Sequence, residues 1–109
     1  MKIMYSPEAK EDLFAIKDSV EVWQNPELTK KVLKKITQTI RSLEVFPNMG
    51  VELSRTIGIP TEYRYIFCKQ NYIFYRIEAD CVRIVRILNE REDFMRVMFG
   101  IKEVEDEME

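Results

Sequence analysis

The stretch Glu62–Asp93, EYRYIFCKQNYIFYRIEADCVRIVRILNERED, constrains the fold more than any other part of the chain. Two polar tripeptides, Lys69-Gln70-Asn71 and Glu78-Ala79-Asp80, divide it into three runs rich in Tyr, Ile, Phe and Val. That composition and punctuation predict three hairpin-connected strands. Asn71 and Asp80 are the expected turn residues, since both tolerate left-handed backbone and bond their own main chain.

The flanking segments supply helices. Lys2–Tyr5 is apolar enough for an edge or first strand, and Ser6-Pro7-Glu8 then gives N-cap, first helical position and first-turn acid. Ala9, Leu13, Ile16, Val20 and Trp23 recur at helical period and form one core-facing stripe. Asn25-Pro26-Glu27 repeats the start signal at once, so a second helix follows with Leu33, Ile36, Ile40 and Leu43 as its buried stripe, an antiparallel helical hairpin. Lys30, Lys31, Lys34, Lys35 and Arg41 crowd that helix with charge, either a solvated face or the receiver of an anionic partner. Phe46-Pro47-Asn48-Met49-Gly50 stops it, and residues 48–61 are expected to form a loop. After the strands, Asn89 and Glu92 have the spacing of a capping box, so a last short helix is expected from there to Phe99, closed by Gly100 in left-handed conformation.

The order strand, two helices, three strands and short helix is a segregated α+β arrangement. An N-terminal strand and a three-stranded antiparallel meander complete a small sheet, and the helical hairpin covers one of its faces. One domain is expected over residues 1–100, which suits a chain of 109 residues, with an acidic, frayed tail at 101–109.

Composition narrows the chemistry. No apolar run approaches the roughly 20 residues of a membrane span, and Lys2-Ile3-Met4-Tyr5 leads straight into Ser6-Pro7 without a signal-peptide pattern, so a cytoplasmic location is expected. The tail holds five of the 19 acids and one of the 17 bases, leaving 16 bases against 14 acids over residues 1–100. That body is too weakly basic for a general nucleic-acid binder. The chain has no histidine, and Cys68 and Cys81 fall inside predicted strands as buried thiols, too few for a zinc site or a disulfide framework. No cofactor and no metal are expected, and any chemistry falls to Arg, Lys, Tyr, Glu or Asp.

The succession YSPEAKEDL, IPTEYRYIF, NYIFYRIE, VRIVRIL and NERED resembles the RelE/ParE superfamily of toxins from bacterial type II toxin–antitoxin systems, over about residues 2–99. The resemblance implies a toxin that inhibits growth until a cognate antitoxin binds it in a hetero-oligomer. An antitoxin presents an amphipathic helix or an extended strand, for which the outer face of the hairpin and the sheet edge are the natural receivers. RelE-like members cleave messenger RNA on the ribosome, whereas ParE-like members bind DNA gyrase and block it.

Metal-independent cleavage of RNA requires an activated 2′-hydroxyl, a protonated leaving oxygen and cations near the scissile phosphate. Arg64 and Arg91 stand where RelE-like enzymes carry basic residues, and Tyr72 stands where they carry another, which makes these three the candidate catalytic residues. Ile66, Asn89 and Val97 occupy the places of a further basic residue, a histidine and a C-terminal tyrosine. NYIFYRIE followed by a late arginine-acid-aspartate is closer to the ParE-like pattern, carried by Tyr75, Arg76, Arg91 and Asp93. Tyr75, Arg76, Arg83 and Asp93 are therefore the candidate residues for partner or target binding, although Tyr75 also fits a core position, and Arg91 and Asp93 also fit a pair at the start of the last helix. Strict alternation puts Arg83 and Arg86 on opposite faces, Arg83 toward solvent and Arg86 beside Ile84 and Leu88, where Glu62, Glu78 or Asp93 would pair with it.

Overall fold

Ser6 starts the first helix as its sequence predicts: its hydroxyl accepts from Ala9 N at 3.0 Å and donates to Val85 O at 2.7 Å. The computed structural model describes residues 1–23 and 26–101, with the side chains of 19–23 left aside. The expected burial of Val20 and Trp23, the cap at Asn25 and the tail beyond Ile101 lie outside the described residues. The elements are β1 (Lys2–Tyr5), α1 (Pro7–Trp23), α2 (Pro26–Ser42), β2 (Val51–Glu52), α3 (Leu53–Ile57), β3 (Arg64–Cys68), β4 (Asn71–Ile77), β5 (Cys81–Asn89) and α4 (Phe94–Phe99). Among them no helix is long and apolar enough to cross a membrane.

The three predicted strands pair as an antiparallel meander, and β1 adds to it in parallel beside β5, giving the order β1-β5-β4-β3-β2. The segment 48–61, expected as loop, contains β2 and α3. Both are too short for any periodicity to show. β2 adds only two residues to the sheet edge, and Gly58 closes α3 at φ 72°.

Alternation along the strands sorts the side chains onto two faces. Ile73, Tyr75, Val82 and Ile84 pack against Ala9, Ile36, Ile40 and Leu43 of the hairpin. On the other face Phe74, Leu88 and Leu53 form a second core, joined by Tyr63, Tyr65, Tyr72, Phe94 and Met98. Burying Phe74 or Ile73 contributes about 1.5–3 kcal/mol each. Both faces are thus covered, one by the hairpin and one in part by α3 and α4.

Two sequence expectations about the turns are corrected. The left-handed residues of the first hairpin are Lys69 (φ 50°) and Gln70 (φ 64°), not Asn71, which begins β4 buried with its amide donating to Lys69 O at 2.8 Å. Two successive positive φ values make a two-residue turn whose twist matches the strands. Asp80 does lie in the turn between β4 and β5, as expected, but without left-handed backbone. The Asn89–Glu92 capping box forms only by half and around a turn: Glu92 Oε2 accepts from Asn89 N, but Asn89 Oδ1 accepts from Arg91 N while Glu92 N donates to Asn89 O. The cap of α4 is Asp93, which accepts from Arg96 N, and Gly100 ends the helix at φ 70° as expected.

The pairing of β5 with β4 shifts at Phe74/Tyr75, opposite Arg86 and Ile84, leaving Val85 as an extra residue. This bulge overturns strict alternation. Ile84 and Ile87 face the hairpin while Leu88 belongs to the second core. Arg86 reaches α1 and forms a double hydrogen bond with Asp12 at 2.8 and 3.0 Å, rather than pairing with Glu62, Glu78 or Asp93. Asp12 Oδ2 also accepts from Ile87 N at 2.9 Å.

The turn between β4 and β5 is closed by Glu78. Arg76 and Arg83 stand opposite each other across the two strands, and Glu78 accepts from both Nε atoms at 2.8 and 2.9 Å. Arg83 and then Arg76 hold the Glu78 carboxyl well below its ordinary value of 4.5, at about 2. A carboxyl depressed on folding stabilises the fold fully above its unfolded pKa and loses that contribution as pH falls through the interval to the folded value. The wild type is therefore expected to unfold at higher temperature than Glu78→Gln at pH 6, with the difference shrinking between pH 4.5 and 2. An unchanged difference across that interval would show that the clamp contributes nothing.

Gly50 is packed where a side chain has no room. A Cβ there would lie 2.6 Å from Tyr75 Oη and 2.9 Å from Tyr65 O. Tyr75 is fully buried, and its hydroxyl accepts from Gly50 N at 2.9 Å while donating to Pro47 O at 2.7 Å. Gly50→Ala is expected to destabilise the chain by about 1–3 kcal/mol through overpacking, measured as a lower urea midpoint at unchanged slope.

Candidate functional site

The three candidate catalytic residues do not converge. Arg64 begins β3 on the hairpin side, where its Nη1 donates to Gly50 O at 2.9 Å and Asn48 O at 3.4 Å, with Glu52 at 3.7 Å. Tyr72 points from β4 to the other face, its ring 5.0 Å from Phe67 and 5.8 Å from Phe94. Arg91 follows β5 near the Lys69–Gln70 turn, since the adjacent Glu90 N donates to Gln70 O at 2.9 Å. Five residues of strand separate that turn from Arg64, about 16 Å at the usual rise. Arg64 and Tyr72 thus stand on opposite faces, and Arg64 and Arg91 at opposite ends.

Arg91 is exposed, and among the described residues its guanidinium has no carboxylate within ion-pair distance. Beside it opens a groove of about 590 Å³ between the hairpin, at Ile16, Leu28 and Val32, and the turn carrying Lys69 and Gln70. Asp93 makes no pair with Arg91; its carboxylate is committed to Arg96 N at 3.3 Å.

The candidate binding residues divide in the same way. Tyr75 is fully buried, with the pKa of its hydroxyl raised by burial, so it holds the Pro47–Gly50 segment and presents nothing to a partner. Arg76 and Arg83 lie side by side on the face away from the hairpin, about one third exposed. The hydrogen bond that each donates to Glu78 raises the pKa of both. They form a fixed basic pair with a carboxylate between them, and Glu62 lies 3.7 Å from Arg76. Arg83 is thus half-shielded rather than freely solvated.

Of the two acids that organise this geometry, Glu78 was expected as a partner of Arg86 rather than of Arg76 and Arg83, and Asp12 was not singled out at all. Glu78 is signalled by Arg76 and Arg83 themselves, which are equidistant from the turn: like charges directly opposite on paired strands need an anion between them. Asp12 lies within the apolar stripe, three residues after Ala9 and four before Ile16. An acid in that position implies a partner in the layer below.

Burial and Glu78 push the Cys81 thiol pKa up, burial most, the reverse of what a nucleophilic cysteine needs. Cys68 is also buried, 3.5 Å from the Thr39 hydroxyl. Among the described residues no three Cys, Asp or Glu side chains converge to hold a metal ion. The arrangement can bind through its arginines, lysines and exposed apolar side chains, but it does not bring an acid, a base and a phosphate-binding cation to one point.

A family model described as the ParE toxin of the type II toxin–antitoxin system parDE matches residues 3–94. A chain in the solved structure of the chromosomal ParDE system from P. aeruginosa superposes with a TM-score of 0.69. It is 24% identical, and the match covers 82% of this chain and 95% of that one, a likeness of fold. No curated protein matches. The family match runs from β1 to the start of α4 and so takes in the hairpin, the whole meander and its arginines, which is why the chain belongs to the ParE toxin family of type II toxin–antitoxin systems.

Proposed function

We propose that this toxin arrests growth by binding DNA gyrase and blocking it, without nuclease chemistry, until a cognate antitoxin covers it in the cytoplasm. The observation that carries the choice of mode is the dispersal of Arg64, Tyr72 and Arg91. General acid–base catalysis needs its groups within about 3 Å of the protons they move. Here one cation is bonded to the carbonyls of its own loop, one phenol is packed in an aromatic cluster on the opposite face, and the second cation is a strand length away. Arg76 and Arg83 form a rigid basic pair suited to docking on an acidic protein surface.

Ribosome-dependent cleavage of messenger RNA is the second reading, favoured by the uncommitted guanidinium of Arg91 beside an open groove. The purified protein is expected to inhibit gyrase supercoiling while leaving ribosome-bound message intact. Codon-specific cleavage would reverse the order, and Arg64→Ala and Arg91→Ala would then each lower it at least about 100-fold. Unimpaired growth of cells making soluble, folded chain without antitoxin would mark a toxin reduced to partner binding alone.

A further inference from the structure

The charge of the whole chain is close to balance, but that of α2 is not. Lys30, Lys31, Lys34, Lys35 and Arg41 are all exposed, and Glu27 in the first turn is the only acid of the helix. Among the described residues none of these five cations is in an ion pair. Lys30 and Lys34, and likewise Lys31 and Lys35, stand one turn apart and repel each other, so this face costs stability while it is bare.

The cations form two rows. At 3.6 residues per turn Lys30, Lys34 and Arg41 fall within about 40° of one another, and Lys31 and Lys35 share a second arc about 100° further round. The buried Thr29, Ile36 and Ile40 lie opposite, so the rows flank the outermost line of the helix. Neighbouring elements extend both. Lys10 and Lys17 of α1 border Leu33 and Thr37 beside the first row, and Lys69 shares a groove with Lys35 beside the second. The longer row runs about 16 Å along the helix, and the two stand about 10–12 Å apart, a helix diameter.

We propose that the outer face of α2 binds duplex DNA through its phosphates, one row of cations to each strand. Two lines of negative charge on either side of a major groove about 12 Å wide match the spacing of the rows. A single strand is held by stacking on aromatic rings, and α2 carries none. Duplex RNA has a major groove too narrow to admit a helix, and carboxylates on a protein have no such paired spacing. The contact reads no sequence, because phosphates carry none. Arg76 and Arg83 lie on the far face of the sheet, so a duplex on α2 leaves them free for the protein contact proposed above. The DNA surface does not rest on that contact.

The probe is a fluorescently labelled DNA duplex of about 20 base pairs, titrated with the full chain and read by anisotropy. A micromolar Kd is expected at about 0.1 M salt, with log K falling against log salt at a slope of about −4.5 for five phosphate contacts. Lys30→Gln/Lys34→Gln and Lys31→Gln/Lys35→Gln should each weaken binding at least about tenfold and flatten the slope by about 2, with Tm unchanged or raised. Arg55→Gln, on α3 across the sheet, should leave affinity and slope as they are. No binding at about 100 μM chain in about 0.05 M salt would overturn the proposal, as would a loss confined to one row or an equal loss in Arg55→Gln. Tighter binding of duplex RNA, or of polyglutamate at equal charge, would also overturn it, in favour of an RNA or an acidic protein.

Discussion

The docking of α1 on the bulged segment of β5 is the constraint on which the rest of the molecule depends. An extra residue in a strand interrupts the ladder and leaves backbone groups to be satisfied elsewhere. Here α1 satisfies them. Val85 O takes the Ser6 hydroxyl and Ile87 N finds Asp12 Oδ2, while Arg86 folds onto the same carboxylate. The helix is thereby fixed in position along the strand as well as held against it. Apolar packing alone, being non-directional, would tolerate sliding.

That fixed hairpin decides which parts of the sheet remain open. With α1 seated over β5 and α2 reaching β3, the hairpin-side core closes around Tyr75, whose hydroxyl then ties back the Pro47–Gly50 segment. A buried phenol needs partners, and the loop carbonyl and amide supply them. The consequence runs outward: a loop bonded to Tyr75 does not extend β2, and a two-residue β2 leaves the far half of β3 uncovered. Gly50 belongs to the same chain of cause, because any side chain there would separate the loop from the ring that holds it.

The regular parts of this structure were legible from its sequence. Three strands divided by two polar tripeptides, a helix opened by Ser6-Pro7 and a helix closed by Gly100 all follow from local chemistry acting over a few residues. The failures share a different cause. The bulge at Val85 has no local signature, and one added residue transfers every later side chain to the other face, which is why Leu88 left the face that it would otherwise share with Ile84. The turn at Lys69–Gln70 uses long polar residues where asparagine or glycine would be the ordinary choice. The candidate residues Arg64, Tyr72 and Arg91 were chosen by place in the chain, and it takes strand direction and parity to show that they point apart.

The placement of the arginines carries the functional argument furthest. A guanidinium that is to stabilise charge on a phosphate must be available, and one already bonded to a carboxylate surrenders that interaction first. Arg55 pairs with Glu52, Arg76 and Arg83 share Glu78, and Arg86 is held by Asp12, while Arg64 is bonded to its own loop. Among the described residues, Arg41, Arg91 and Arg96 are left without a carboxylate partner. They belong to three separate elements: a helix end, the turn after β5, and the six-residue α4. Cations spread in this way make several separate contacts over a protein surface, whereas phosphoryl chemistry needs them gathered around a single atom.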